Sequence, residues 1–317
     1  MINNYKNRAI FLLFGIISVI NTILLSSVFF AYSTNLKKDY EEKLSSVASQ
    51  VAANASLILS FFEEEIEVFI NKYSVEEGLD SFQIDVPNFV RTDSTSFEEI
   101  IIFNEKEPVY VSGAEHVEFY RELILSTNFD NVMKDKNNRW LISEKKDELL
   151  PTYGMLSYVR TLFDTDTNEK CGYVVAAVST NQLMNLLNLS AGYQNSRERE
   201  FLPHSVGISV DDKIFFLGEN IVKNEKIIFD KENWHTDGDE MHFVNICNGN
   251  EFFTIHSTKA LTKKIFVVLS LFALVFVATT LTSYKILTFL LNEICDRIDK
   301  LNHKIETYSP AKEEKKS

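Results

Sequence analysis

Two long uncharged apolar stretches bracket the chain. The first, AIFLLFGIISVINTILLSSVFFAY from Ala9 to Tyr32, is 24 residues long. As a helix it predicts about 36 Å, more than the roughly 30 Å hydrocarbon core of a bilayer. It also exceeds the roughly 7–15 residue apolar region of a cleaved signal peptide. The second, IFVVLSLFALVFVATTLTS from Ile265 to Ser283, has 19 residues; its apolar character resumes over Ile286 to Leu291, and it too is long enough to cross. The expectation is two transmembrane helices, at 9–32 and 265–286.

Between them the pattern first stays helical. Apolar residues fall at Leu36, Tyr40, Leu44, Val47, Val51, Ala55, Ile58, Phe62, Ile66, Phe69 and Tyr73, in repeating steps of 4, 4 and 3. That 11-residue period, about 3.67 residues per turn, keeps one stripe on a nearly straight helix. A long helix is predicted over 33–77, its stripe packed on its own domain. Small residues flanking the stripe (Ser45, Ser46, Ala48, Ala52, Ala53) add the expectation of self-association near the membrane.

Past Gly78 the period shortens to that of strands. Glu98 to Asn104 and Pro108 to Gly113 read as a hairpin, and Val117 to Leu125 as a short helix. Strands are predicted at Arg139–Ser143, Met155–Phe163 and Gly172–Val178. Ser179 or Thr180 then caps a helix carrying Leu183, Met184, Leu186 and Leu187. A second hairpin spans Gly207 to Gly218. A third joins Glu240–Cys247 to Glu251–Ser257 through Asn248-Gly249-Asn250. The order fits antiparallel sheets with helices against one face, in two stacked sheet units on one long helix: a membrane-distal unit over 78–200 and a membrane-proximal unit over 201–260. Beyond the second apolar stretch, Leu287, Leu291, Ile294, Ile298, Leu301 and Ile305 repeat every 3.5 residues, which predicts a coiled coil over 287–308 before a disordered tail at 309–317.

Charge orients this arrangement. Residues 33–260 carry 21 Lys and Arg against 39 Asp and Glu, a net of −18, while the remainder contributes +5 to the chain's −13. Lys6 and Arg8 precede the first apolar stretch, and Lys285, Arg297, Lys300 and Lys304 follow the second. The positive-inside bias therefore places both termini in the cytoplasm, residues 1–8 among them, and the acidic 33–260 outside the cell. Lys259, Lys263 and Lys264 oppose that bias, but the first helix usually dominates it. So acidic a domain also excludes nucleic acid as its partner.

Chemistry is sparse. Cys171, Cys247 and Cys295 have no metal or redox spacing; Cys171 and Cys247 either pair outside the cell or stay free thiols. His235, Asp237, Asp239 and Glu240 lie in HTDGDE, which lacks calcium-loop or zinc-helix spacing and reads as a solvated turn. His303 sits off the coil seam, and no glycine-rich nucleotide motif accompanies it. No catalytic residue, metal or cofactor is expected, so the chain is not read as an enzyme.

The succession of membrane helix, long helix, two PAS-like sheet units, membrane helix and coil resembles the double-Cache sensor region of bacterial transmembrane receptors, most of all YesM-type sensor histidine kinases. Trp140, the segment Met155 to Phe163 and CGYVVAAVSTNQLMNLL at 171–187 carry the likeness, over about residues 10–300. The resemblance implies an α+β membrane protein with a tandem PAS-like (double-Cache) domain outside the cell, acting as a homodimer without the kinase domain. In amino-acid-binding members an Arg and aromatic cluster holds the ligand carboxylate, which points here to Arg139 and Trp140; the alternative for Arg139 is a surface charge at a strand edge. Tyr110, Tyr158 and Arg160 are the further candidate pocket residues. Where those members carry an Asp for the amine, this chain has Ala177.

The function expected is reception of an extracytoplasmic small molecule or peptide and its relay to a cytoplasmic output, as in the sensor part of a two-component histidine kinase. The chain is either a sensory portion of a longer protein or a stand-alone receptor. The alternative is a membrane-anchored assembly module that binds another protein. A closed apolar first unit would favour the alternative; a pocket lined by Tyr110, Trp140, Tyr158 and Arg160 would favour the sensor.

Overall fold

The computed structural model describes residues 2–73, 97–104, 107–111, 117–126, 129, 133, 138–145, 153–164, 167–178, 183–187, 199–210, 213–217, 221–223 and 234–307. The predicted cap at Ser179 or Thr180, the end of the long helix past Tyr73 and the tail lie outside them. The protein is α+β, with two long apolar helices flanking a β domain. It divides into two compact units, Met1–Tyr40 with Ala260–Ser317, and Glu41–Lys259.

Helix α1 (Ile2–Tyr73) is 72 residues long. From residue 33 to its end it contains neither Gly nor Pro, so nothing in the sequence breaks the hydrogen-bond ladder. The last of the described helices is α3 (Lys259–Thr307). Each carries an apolar window, of mean hydropathy 2.4 in α1 and 2.5 in α3, sufficient by length and composition to cross a membrane. In the first unit these windows run antiparallel: Phe14 meets Tyr284 edge-on at 5.4 Å and Phe29 meets Phe272 at 5.6 Å.

The second unit is an antiparallel sheet in two halves. The first half comprises β1 (Phe97–Asn104), β2 (Glu107–Val111), β3 (Asn138–Lys145), β4 (Tyr153–Phe163) and β5 (Lys170–Val178). Its order is β2-β1-β5-β4-β3. A helix α2 (Val117–Leu125) follows β2. The second half comprises β6 (Pro203–Val210), β7 (Lys213–Leu217), β8 (Ile221–Lys223), β9 (Trp234–Asp237), β10 (Glu240–Cys247) and β11 (Asn250–Ser257), in the order β8-β7-β6-β11-β10-β9. With β6, β7, β9, β10 and β11 set against β1 to β5, the two orders coincide, and β8 is an extra edge strand. Among the described residues one pairing, Tyr153 with Ile221, joins the halves into one sheet. The two halves are therefore two copies of one topology within one sheet.

The buried line of α1 runs Leu44, Ala48, Val51, Ala55, Leu59, Phe62, Ile66 and Phe69, and keeps the 11-residue period. From Val51 onward it enters one apolar core with β1, β3, β4 and β5 of the first half and with Val206, Ile208, Phe215, Leu217 and Phe252 of the second. Ala48 and Ala52 are fully buried, so these two of the small residues expected to flank the stripe lie on it; Val47 and Ile58 lie beside the core, not at its centre. The opposite face of the first half is covered by α2, whose Tyr120 and Ile124 pack on Phe103, Leu141, Val159 and Tyr173. Helices thus lie on both faces, not one. That double cover explains β5, where Val174, Ala176 and Val178 face α1 and Tyr173, Val175 and Ala177 face α2. A strand buried on both sides reads as an unbroken apolar run.

Two glycines are steric requirements. A Cβ on Gly172 would sit 2.0 Å from the Phe103 carbonyl oxygen, where β5 approaches β1. In the β10–β11 hairpin, Asn248 and Gly249 both have positive φ, 50° and 82°, the signature of the two-residue turn that matches strand twist. Two strands were missed in the sequence: β8, three residues long, and β9, read as part of a turn. Only Gly238 and Asp239 of HTDGDE form the turn.

Candidate functional site

Strands β3 and β4 bring four of the five expected residues to one region. Trp140 stands directly opposite Tyr158, and Asn138 opposite Arg160. The Trp140 and Tyr158 rings lie 5.2 Å apart and are tilted by 51°. Period-2 alternation points both, with Ile142 and Leu156, into the core shared with α1. There the helix offers two carboxylates one turn apart. The Trp140 indole N–H donates to Glu63 Oε1 at 2.6 Å, and Arg160 Nη1 pairs with Glu67 Oε1 at 2.8 Å, both side chains about a quarter to a third exposed.

A cavity of about 450 Å³ opens beside this grip, between the halves of the sheet. Glu63 and the start of β3 (Asn138, Arg139, Trp140) line it together with Tyr158 on one side. On the other side stand the end of β6 (Ser209, Val210) and the hairpin turn Asn248-Gly249-Asn250. The volume is that of a small-molecule site. Arg139 has an interaction of its own. Tyr158 is buried, and among the described residues its hydroxyl donates no well-formed hydrogen bond, although the Asn138 side chain lies close enough for its amide to donate to the phenol oxygen. Its pKa is pushed up to about 12, first by burial and then by the negative charge of Glu63, while Asn138 works the other way. The hydroxyl therefore keeps its proton and remains a donor.

Arg160 is in the ion pair with α1 and not on the cavity wall. Tyr110 lies on β2, three strands from β4 in the sheet order, and its side chain is outside the described residues. Ala177 is buried under α2, flanked by Glu99 on β1 and Ser157 on β4. Glu99 is 3% exposed, and the Tyr120 and Ser157 hydroxyls share a hydrogen bond of 2.5 Å. This places a carboxylate next to Ala177, one strand away from where the resemblance puts an Asp. Sequence reasoning missed Glu63, Asn138, Ser209 and the 248–250 turn as lining residues, and Glu99 as the carboxylate beside Ala177. The Asn-Gly turn signal was legible, but its approach to β3 was not.

In the second half, His256 is fully buried. Its Nδ1 is 2.9 Å from the Phe201 carbonyl and its Nε2 3.0 Å from Thr254 Oγ1. A carbonyl only accepts, so Nδ1 carries the proton and the Thr254 hydroxyl donates to Nε2. Desolvation lowers its pKa to about 4, with the charge of His204 acting in the same direction and the Phe201 bond opposing. On the outer face, His204 and His242 both approach Glu240, at 3.3 and 3.4 Å. Among the described residues no group of three or more His, Cys, Asp or Glu is placed to hold a metal ion. Cys171, Cys247 and Cys295 are free thiols.

No family model matches the chain, and no curated protein matches it in sequence. Among solved structures, the ligand-binding domain of the Pseudomonas fluorescens chemoreceptor CtaA with L-isoleucine aligns at 12% identity and a TM-score of 0.46, covering 74% of this chain and 99% of that one. The ligand-binding domain of the Pseudomonas aeruginosa amino acid chemoreceptor PctC with GABA aligns at 13% identity and 0.44, covering 69% and 99%. The periplasmic domain of RsbU from Chlamydia trachomatis aligns at 11% and 0.40, covering 72% and 98%. Each is a weak likeness, in identity and in TM-score alike.

Proposed function

We propose that the chain is the sensory portion of a transmembrane signal receptor. In this reading α1 and α3 cross the cell membrane, both ends lie in the cytoplasm and the β domain lies outside. A small molecule occupies the cavity between the sheet halves, with Arg139, Trp140 and Tyr158 at its wall, and is bound without being converted. The output passes through α3 to a cytoplasmic effector of the histidine-kinase kind. The receptor works as a homodimer, in which the exposed seam Ile294, Ile298 and Leu301 of α3 pairs with a second copy; its 3.5-residue spacing supports that.

The observation that carries the reading is the Trp140–Glu63 bond. One wall of the cavity belongs to α1, and a cavity residue of the sheet is hydrogen-bonded to it. Anything that enters and displaces the indole, or tightens it, acts on the helix that runs on into the apolar window. A cavity holding Trp140 and Tyr158 also supports a sensor over an assembly module.

Topology is tested by impermeant maleimide labelling of intact cells, in a background with the three cysteines replaced by serine. Thr167→Cys, in the exposed β4–β5 turn, labels without lysis, and Lys300→Cys labels only after it. The reverse pattern, or equal labelling of both, refutes the arrangement.

A further inference from the structure

We propose that the cavity between the sheet halves takes a neutral, polyhydroxylated small molecule, a sugar or polyol that bridges the 248–250 turn to β3 and α1. This rests on the sensor reading above.

The lining holds one carboxylate and one guanidinium, Glu63 and Arg139, so its formal charge sums to zero. Both are already engaged: Glu63 accepts the Trp140 N–H, and Arg139 has an interaction of its own. Recruiting either as the counter-ion of a charged ligand would disrupt an existing contact, and an ion desolvated without a dedicated partner is costly. The remaining polar groups are neutral. Asn138, Asn248 and Asn250 each present an amide with two donors and one acceptor oxygen, and Ser209 adds a hydroxyl. Vicinal hydroxyls, which donate and accept at short spacing, complement such a set.

Tyr158 supplies a second, independent pointer. A buried hydroxyl that accepts from a neighbouring amide, Asn138, but donates no well-formed bond calls for an explanation, and this one is on the cavity wall. Because it stays protonated, its need is an acceptor oxygen without a requirement for charge. The Asn248-Gly249 turn has both φ values positive, which holds its amides on a stiff hairpin tip. A ligand reaching from that tip to Asn138 and Tyr158 fastens together two sheet halves that, among the described residues, are joined in the sheet by the Tyr153–Ile221 pairing.

The test is a thermal-shift measurement on the full chain in detergent micelles with myo-inositol, D-glucose and trehalose. Each is used at about 10 mM, far below the range where such solutes act as osmolytes. L-Isoleucine and glycine betaine serve as zwitterionic comparators. At least one polyol is expected to raise Tm by about 3 °C or more. Tyr158→Phe and Asn250→Ala, whose Tm without probe stays near that of the parent, are each expected to cut that shift at least by half. A shift from a zwitterion alone that both variants abolish overturns the ligand class and leaves the cavity reading standing. A polyol shift that survives both variants overturns the cavity as its site. No shift from any polyol overturns the class.

Discussion

Acidification offers a quantitative test of the second sheet half, through His256. Its ring is buried as the neutral Nδ1–H tautomer, held by the Phe201 carbonyl and the Thr254 hydroxyl. Protonation would make Nε2 a second donor, force the Thr254 hydroxyl to turn, and place a charge in an apolar pocket edged by Phe243, whose ring meets the imidazole edge-on at 5.3 Å. The folded pKa is about 4 against an ordinary 6.5. A base whose pKa is depressed by folding contributes its full stability above the unfolded value, loses it as pH falls from 6.5, and has lost it all below 4. The full span is worth about 3 kcal/mol, and about 2 kcal/mol is gone at pH 5. The assay is urea unfolding of the full chain in micelles, followed by fluorescence. Both tryptophans, Trp140 and Trp234, lie in the β domain, so the signal reports that domain. His256→Asn retains a donor near the Nδ1 position and cannot titrate. It is expected to be less stable at neutral pH, yet to lose about 2 kcal/mol less than the parent between about pH 7.5 and 5. Equal pH slopes in parent and variant would refute the assignment, because the other titrating groups, His204, His242 and Glu240 included, are common to both.

Other consequences are simpler. Gly172→Ala forces a methyl against the Phe103 carbonyl at 2.0 Å; with backbone on both sides it is expected to cost more than about 2 kcal/mol, seen as a lower urea midpoint. A double-mutant cycle of Glu63→Gln and Trp140→Phe, read by circular dichroism, is expected to give a coupling of about 1–2 kcal/mol for the charge-assisted bond. Additive losses would mean that the sheet does not hold α1 at that point. Burial, with the charge of Asp164 adding to it, pushes the Cys171 thiol up. Alkylation of Cys171, tracked by mass spectrometry, is therefore expected to be slow at neutral pH and to accelerate as pH is raised above the ordinary thiol range.

Much of this architecture was legible because the signals are local. An uncharged run is apolar wherever it lies, an 11-residue period keeps a stripe on one side of any helix, and Asn-Gly between alternating strands makes the same turn in every context. Those features alone determined the two long apolar helices, the rod of α1, the hairpins and the segregation of charge. The strands that escaped, β8 and β9, are three and four residues long, too short to establish a period; they are strands because a neighbour is there to pair with them.

What only the tertiary structure decided is which residues meet. Nothing in FFEEEIEV shows which carboxylate faces the sheet; Glu63 and Glu67 do so because the sheet stands on the side of the helix that Phe62 and Ile66 bury. The same holds for Glu99 beside Ala177, which depends on the register of β1 against β5, and for the 248–250 turn, more than a hundred residues from β3 and across the same cavity. A site assembled from α1, β3, β4, β6 and a hairpin tip has no spacing in the chain. Its geometry is set by apolar packing and strand register, which act through space, and so its residues carry no mark in the sequence until the core has brought them together.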